Sequence, residues 1–230
     1  MSLYKQIRTI LFIFFIPGCL MGQSISFDLD TFKRSVPTSG LAGQVWRGPG
    51  WVDTVFNDSV STMSPDLLGF PPCADLWDWE TGWFYPQSVL DTCLLDTSVS
   101  LELSWGHLNA DTIDLRPISF QNALDHIGAE GLYCLNMISS SLAKQCADLR
   151  IAKANGVHLE RIRLGDEMGK SGNEPSISNF PTAGDYARAC NLYIDSIRAI
   201  IPNAKIAVSA GNFGSNTNPR SANWNDSIYT

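Results

Sequence analysis

The sequence predicts an α/β protein built on a parallel sheet, and three observations carry that prediction. From Arg116 onward, short apolar runs alternate with amphipathic stretches of helical period, in the order helix, strand, helix, strand, helix, strand. Gly, Asn, Ser or Pro stands at most of the joints, where the chain must turn. With 230 residues, 44% of them hydrophobic and 17% charged, the chain can bury a sizeable core and is too apolar to stay disordered.

Up to about Ser100 the chain is rich in Gly, Pro and Trp and poor in helical periodicity, which reads as strands and long loops. Residues 118–130 then place apolar side chains at helical spacing and stop at Gly131. The apolar run 132–137 follows as a buried strand, and residues 139–141, all serine, offer a cap for the next helix. That helix runs to about Ala154, where Asn155 and Gly156 end it, and residues 159–164 supply a further strand. Thr182 with Asp185 three residues later forms a capping-box pattern. Tyr186, Cys190, Tyr193, Ile194 and Ile197 follow on one helical face, and Pro202 closes the helix before a short strand at 205–209. Right-handed crossovers wind this order into either a barrel or a doubly wound sheet. No internal repeat or low-complexity linker divides residues 23–230, so they read as one domain or part of one.

Residues 1–22 read as a secretory signal: Lys5 and Arg8 precede an apolar run at 10–16, and cleavage is expected near Gly22. The run falls short of the ~20 residues that span a bilayer, so no stable membrane span is expected and the protein reads as secreted. Cys19, after Gly18, offers lipid anchoring as a minor alternative.

The 16 basic and 23 acidic residues leave a net charge of −7, which provides no broad cationic surface for a nucleic-acid backbone. Losing Lys5 and Arg8 with the signal makes the remainder more acidic still. Cys73, Cys93, Cys134, Cys146 and Cys190 then remain, enough for two disulfides at most and without the close pairs of a zinc site. His107, His126 and His158 form neither a metal cluster nor a Ser-His-Asp motif, so no metal or cofactor is expected.

Candidate chemistry concentrates in two segments. Arg161-Ile-Arg-Leu-Gly-Asp-Glu-Met168 runs an apolar strand straight into Asp166 and Glu167. The carboxyl ends of parallel strands are where α/β proteins assemble sites, which makes Glu167 the leading functional residue; a solvated loop acid is the bland alternative. The segment from Asp75 to Tyr85 packs aromatic residues around Asp78 and Glu80. Trp77 and Trp79 could stack on sugar faces while Asp78 takes a hydroxyl proton, or the two rings could share the buried face of a strand. Asn136 ends a strand and could donate to a substrate hydroxyl or cap the following helix. The Asn-Glu pair inside Gly172-Asn-Glu-Pro175 follows the strand in a Gly- and Ser-rich loop and reads as a decoy. Asn57-Asp58-Ser59 and Asn225-Asp226-Ser227 match the short glycosylation pattern.

Four segments together resemble the clan A glycoside hydrolases, nearest to secreted arabinofuranosidase-like and heparanase-like glucuronidase barrels. Residues 67–82 (Leu-Leu-Gly-Phe-Pro-Pro-Cys-Ala-Asp-Leu-Trp-Asp-Trp-Glu-Thr-Gly) resemble the second-strand motif. Residues 132–137 resemble the third strand, 161–168 the fourth, and 185–210 a helix and fifth strand. The resemblance implies an eight-stranded (β/α)8 TIM barrel of which about the first five strands are present, an N-terminal fragment of a longer enzyme. It implies a retaining glycoside hydrolase acting on a poly- or oligosaccharide, with Glu167 as general acid and base. The nucleophile would be a seventh-strand carboxylate ~5 to 5.5 Å away, beyond Thr230. A partly buried Glu167 beside that second carboxylate would hold the proton the reaction needs. Two departures from the pattern stand out. Asp166 replaces the family's Asn before the acid, and Gly69, Pro72 and Cys73 replace an Arg and a Gly-Gly pair. They favour the alternative of a catalytically inactive carbohydrate-binding barrel.

Overall fold

Among the residues described by a computed structural model, the chain forms seven strands: β1 (Ala42–Gln44), β2 (Leu67–Phe70), β3 (Trp77–Asp78), β4 (Trp83–Phe84), β5 (Glu130–Leu135), β6 (Arg161–Leu164) and β7 (Lys205–Val208). The described residues are 42–44, 50–71, 74–93, 114–170, 172, 174–211, 220 and 223–228. All of them fall in one unit, Pro37–Thr230. The predicted signal at 1–22, Cys19, Pro72, Cys73 and His107 lie outside the described residues.

Five strands pair in parallel in the order β1-β2-β5-β6-β7, while β3 and β4 form a separate antiparallel hairpin. Each strand of the main sheet lies beside the one before it in the chain, with no reversal of order. The described strands are therefore singly wound, unlike a doubly wound sheet, whose order reverses at a switch point. Leu135 pairs with Leu164, and Leu164 with Val208, so three consecutive strands end level. The residues that follow them, Asn136, Gly165 and Ser209, share one carboxyl edge.

Helices α1 (Thr54–Ser61), α2 (Gln87–Leu90), α3 (Pro117–Ile127), α4 (Leu142–Ala154), α5 (Glu174–Asn179), α6 (Ala183–Ile200) and α7 (Trp224–Ile228) accompany the sheet. The caps explain most boundaries. Pro117 opens α3, where a missing amide hydrogen costs nothing, and Gly128 closes it in the left-handed region at φ +83°. That stop comes three residues before the expected one at Gly131, and Glu130 already belongs to β5. The Ser141 hydroxyl accepts the Lys144 amide at the start of α4, and Thr182 with Asp185 completes the capping box of α6. Along α6, Tyr186, Cys190, Tyr193 and Ile197 are buried at intervals of three and four, as expected, while Ile194 is half-buried.

The helix α1 corrects the expectation of strands and loops before Ser100. Its start is set by the Asp53 carboxylate, which accepts the Val55 and Phe56 amides. Only Asn57 is buried on it, so no apolar stripe announced it. The His126 ring lies 2.7 Å from Asp58 and links α3 to α1. Cys93, Cys134, Cys146 and Cys190 are free thiols.

The core against which the sheet packs is aromatic at its β2 side. Phe70 stacks on Phe120 at 5.2 Å between ring centres and meets Trp51, Trp77, Trp79 and Tyr133 at 5.6 to 6.3 Å. Each ring buries a large apolar area, worth about 2 to 3 kcal/mol against exposure, and fixes where the chain leaving β2 can go.

Candidate functional site

The bend after β6 is the most constrained stretch of the carboxyl edge. Gly165 sits at φ +67°, where a Cβ would come within 2.8 Å of the Met168 side chain. Glu167 adopts φ +49°, a left-handed conformation that costs a non-glycine residue about 1 to 2 kcal/mol. Contacts on both sides offset that cost. The Gly165 amide donates to the Leu135 carbonyl at 3.1 Å, and the Met168 amide to Ser209 Oγ at 3.0 Å. The Arg220 guanidinium donates to the carbonyls of Met168 at 2.7 Å and Lys170 at 3.1 Å while lying over the Trp224 ring.

Glu167 itself is exposed, with 58% of its side chain open to solvent, and its Oε2 lies 2.6 Å from Lys170 Nζ. This corrects the expectation of a partly buried acid: three residues on, the chain supplies an outward-facing cation, and the carboxylate pairs with it at the surface. Asp166 is half-buried and lies 3.1 Å from Arg163 Nη2, so its charge is balanced locally.

Arg163 also donates from Nε to the Cys134 sulfur at 3.3 Å, and that thiol in turn donates to the Gly165 carbonyl at 3.2 Å. Burial pushes the Cys134 thiol up to about 12, so it stays a neutral hydrogen-bond donor. The adjacent acid, Asp75, is one that sequence reasoning did not single out. Its backbone carbonyl is pinned by Ser139 Oγ at 2.6 Å and Asn136 Nδ2 at 3.2 Å. Its Oδ1 is enclosed without a hydrogen-bond partner. Burial first, then the Asp166 carboxylate, push the Asp75 carboxyl up to about 8 against the opposing pull of Arg163. Although solvent still reaches part of the residue, its carboxyl stands amid protein atoms and two like charges, and it is protonated at neutral pH. Its only signal in the sequence was a place just after the apolar strand.

The other candidates are placed differently. Asn136 is fully buried. Its Nδ2 serves the carbonyls of Asp75 and Trp77 and the Ser139 hydroxyl, while its Oδ1 accepts the Ile138 and Ser139 amides. It staples the β5 end to the β3 turn, and no atom is left for a substrate. Trp77 and Trp79 are core residues, 0% and 3% exposed. Their faces are used against Trp51, Phe70, Phe84 and Tyr133, which corrects the reading of Trp77 as the wall of a sugar groove and leaves Trp79 only a margin on a cleft. Asp78 is buried and paired with Lys144 at 3.0 Å, not presented to a ligand. Glu174, from the Asn-Glu decoy, is exposed at the start of α5.

Lys144 is central to a second charged cluster. Its ammonium lies 3.0 Å from Asp78, 3.0 Å from Glu80 and 2.6 Å from Asp148, whose side chain is only 2% exposed. Burial works against the charge on Lys144, but bonds to Asp148, Glu80 and Asp78 carry its pKa above the ordinary lysine range. The three carboxylates lie close enough to ligate a metal, yet the ammonium already fills that role. A cleft of about 240 Å³ beside this cluster is lined by Trp79, Glu80, Arg116, Pro117 and Asp148, and a hollow of about 160 Å³ by Gln121, Glu130, His158 and Arg161. Neither includes the bend around Glu167.

No family model matches the chain, and no curated protein matches it either. Solved structures do. The chain is similar to a family 51 α-L-arabinofuranosidase, AbfB from Bifidobacterium longum, with a TM-score of 0.57 at 14% identity, over 83% of this chain and 41% of that one. An α-L-arabinofuranosidase from Thermotoga maritima, solved with arabinose, gives 0.47 at 17% identity over 66% of this chain and 32% of that one. The GH51 enzyme from Thermotoga petrophila RKU-1 gives 0.46 at 17% identity over the same shares. The chain thus spans a third to two fifths of these proteins' length. At such identity the likeness concerns the fold: a mixed α/β unit with a parallel sheet like part of a glycoside hydrolase of the arabinofuranosidase type.

Proposed function

We propose that the chain is the acid/base-bearing part of a secreted retaining glycoside hydrolase that cleaves O-glycosidic bonds in a poly- or oligosaccharide, with Glu167 as the general acid and base. The observation that carries this reading is the place of Glu167. It follows the fourth strand of a singly wound parallel sheet, in a strained left-handed conformation, within a fold like that of an arabinofuranosidase.

In the first step the Glu167 carboxyl gives its proton to the glycosidic oxygen as the bond to the anomeric carbon breaks. A second carboxylate, from a strand outside those described, attacks that carbon from the opposite face and forms a covalent glycosyl-enzyme. In the second step Glu167, now ionised, takes a proton from water. The resulting hydroxide displaces the enzyme carboxylate, and the sugar leaves with its anomeric configuration retained. Lys170 has to move off Glu167 before the first step, because its ammonium occupies the carboxyl oxygen that must face the glycosidic oxygen.

The placement of Asp166 and Lys170 favours a second reading, a carbohydrate-binding barrel without turnover. Among the described residues no helix is long and apolar enough to cross a membrane. The deciding experiment is hydrolysis of an aryl α-L-arabinofuranoside by the full-length protein and its Glu167→Gln variant. Turnover lowered at least ~1,000-fold by the variant, with sugar binding kept, supports the hydrolase. Turnover that survives the change removes Glu167 from the mechanism, and binding without turnover in the parent protein selects the second reading.

A further inference from the structure

The bend after β6 is held from a distant part of the chain. Arg220, 52 residues beyond Met168, reaches back to it from the segment that follows β7. Its Nη2 donates to the carbonyls of Met168 at 2.7 Å and Phe180 at 2.9 Å, and its Nη1 to that of Lys170 at 3.1 Å. Ser176 Oγ, 3.0 Å from Nη2, donates in turn to the Met168 carbonyl at 2.6 Å. One planar cation thus gathers the bend and helix α5, a fan of donors that a lysine ammonium cannot reproduce.

The guanidinium is itself fixed. It lies 4.5 Å from the centre of the Trp224 ring, which is fully buried, stacks on Tyr186 at 5.4 Å and donates from Nε1 to the Ser209 carbonyl at 2.9 Å. Gly169 lies directly against the same ring, where a Cβ would come within 3.0 Å of it. The turn held against both is the one that carries Glu167. The Lys170 amide donates to the Glu167 carbonyl at 2.9 Å and closes that turn around the left-handed φ of +49°.

We propose that Arg220 is a positioning residue for Glu167: by clamping the Met168 and Lys170 carbonyls it holds the left-handed turn and so aims the acid at the glycosidic oxygen. The inference rests on the hydrolase reading given above and adds the residue that sets the direction of its proton. A non-glycine residue in the left-handed region relaxes to the ordinary regions when nothing holds it, and that rotation swings its side chain away. Such a displacement slows proton transfer without removing the carboxyl. Because the proton goes to the leaving group, the loss grows with the help that group needs. A dinitrophenolate leaves unaided, and a phenolate does not.

Dinitrophenyl and phenyl α-L-arabinofuranosides test this on the full-length protein, with kcat/KM reporting the first step and melting temperatures confirming the fold of every variant. Arg220→Lys keeps the charge and loses the fan; Arg220→Ala loses both. Each is expected to lower kcat/KM on the phenyl substrate about 100-fold, the cost of a displacement of about 1 Å, and to leave the dinitrophenyl substrate within about threefold of the parent. Glu167→Gln is the reference and should show the same dependence on the leaving group more steeply. A loss on the phenyl substrate at least about tenfold greater than on the dinitrophenyl substrate supports the proposal. Losses closer than that mean a general loss of structure, and parent-like rates mean no role; both overturn it and leave the Glu167 reading standing. If Arg220→Ala does not fold, Arg220→Lys decides by the same comparison. If Glu167→Gln shows no such dependence, or the parent protein cleaves neither substrate, the Glu167 reading falls and this inference with it.

Discussion

The Tyr186 hydroxyl donates to the Leu164 carbonyl at 2.6 Å, tying the middle of the sheet's carboxyl edge to helix α6. The same oxygen accepts the Ser209 amide at 2.8 Å, so one buried hydroxyl joins the ends of β6 and β7 immediately before the Glu167 bend. Burial drives the Tyr186 phenol well above its ordinary range, so it remains a donor at any working pH.

Tyr186→Phe removes that oxygen and leaves a buried carbonyl and a buried amide unpaired. A loss of about 1 to 3 kcal/mol is expected, measured as a lower midpoint of urea unfolding with an unchanged slope. Because the bond holds the residue preceding Gly165, any turnover under the hydrolase reading should fall further than the small change of volume explains.

Lys144 is paired with three carboxylates, of which Asp148 is nearly inaccessible. Lys144→Met keeps the aliphatic stem and deletes the charge, so Asp78, Glu80 and Asp148 repel one another. The expected cost is about 3 kcal/mol at pH 7. Burial already raises the Asp148 pKa in the parent, and without the opposing Lys144 it rises further, so protonation relieves the variant as the pH falls. The difference in stability between parent and variant should therefore shrink from pH 7 towards pH 4; a difference that stays constant across that range would show that the lost packing of the lysine stem, not charge, is responsible.

Much of this arrangement was legible in the sequence, and the parts that were not share a cause. The alternation after Arg116 and the capping box at Thr182 are local signals, and local forces decide them. Trp77 and Trp79, two apart, suited a groove and a core equally well; only the arrival of Phe70 and Tyr133 from distant strands makes them core. Asn136 looked free because its partners, Asp75 and Trp77, lie about sixty residues earlier. Glu167 drew attention because a strand running directly into acids places them at a sheet edge, whereas its pairing with Lys170 depends on the turn between them. Helix α1 was missed because a helix that buries little leaves no period to read.

The pH dependence of stability should carry the signature of Asp75. Its carboxyl holds a proton up to about pH 8 in the folded chain and only to about 3.8 once unfolded, so the folded state binds the proton more tightly. Its contribution to stability is unpenalised below pH 3.8, declines as the pH rises, and settles above about 8, a span worth about 6 kcal/mol. Asp75→Asn cannot lose a proton and should become progressively more stable than the parent between pH 4 and pH 8, as read from unfolding curves at each pH. A constant difference between the two proteins would mean that Asp75 titrates alike in both states.

Asp166 separates the two functional readings. Its charge is bound to Arg163, an arrangement that holds Arg163 beside Cys134 and away from any ligand above the edge. In the resemblance to clan A enzymes this position carries an Asn, which can donate to a sugar hydroxyl where a carboxylate only accepts. Asp166→Asn therefore removes a negative charge next to Glu167, weakens the hold on Arg163 and restores a donor. If the chain supplies a working acid, kcat/KM on an aryl arabinofuranoside should rise about tenfold, since one added hydrogen bond in the transition state is worth about 1.4 kcal/mol. If the site only binds, affinity should change while turnover stays absent. Falling turnover would mean that Arg163, held by Asp166, positions the bend for catalysis. The replacement would then be an alternative solution to the problem that the family solves with an amide.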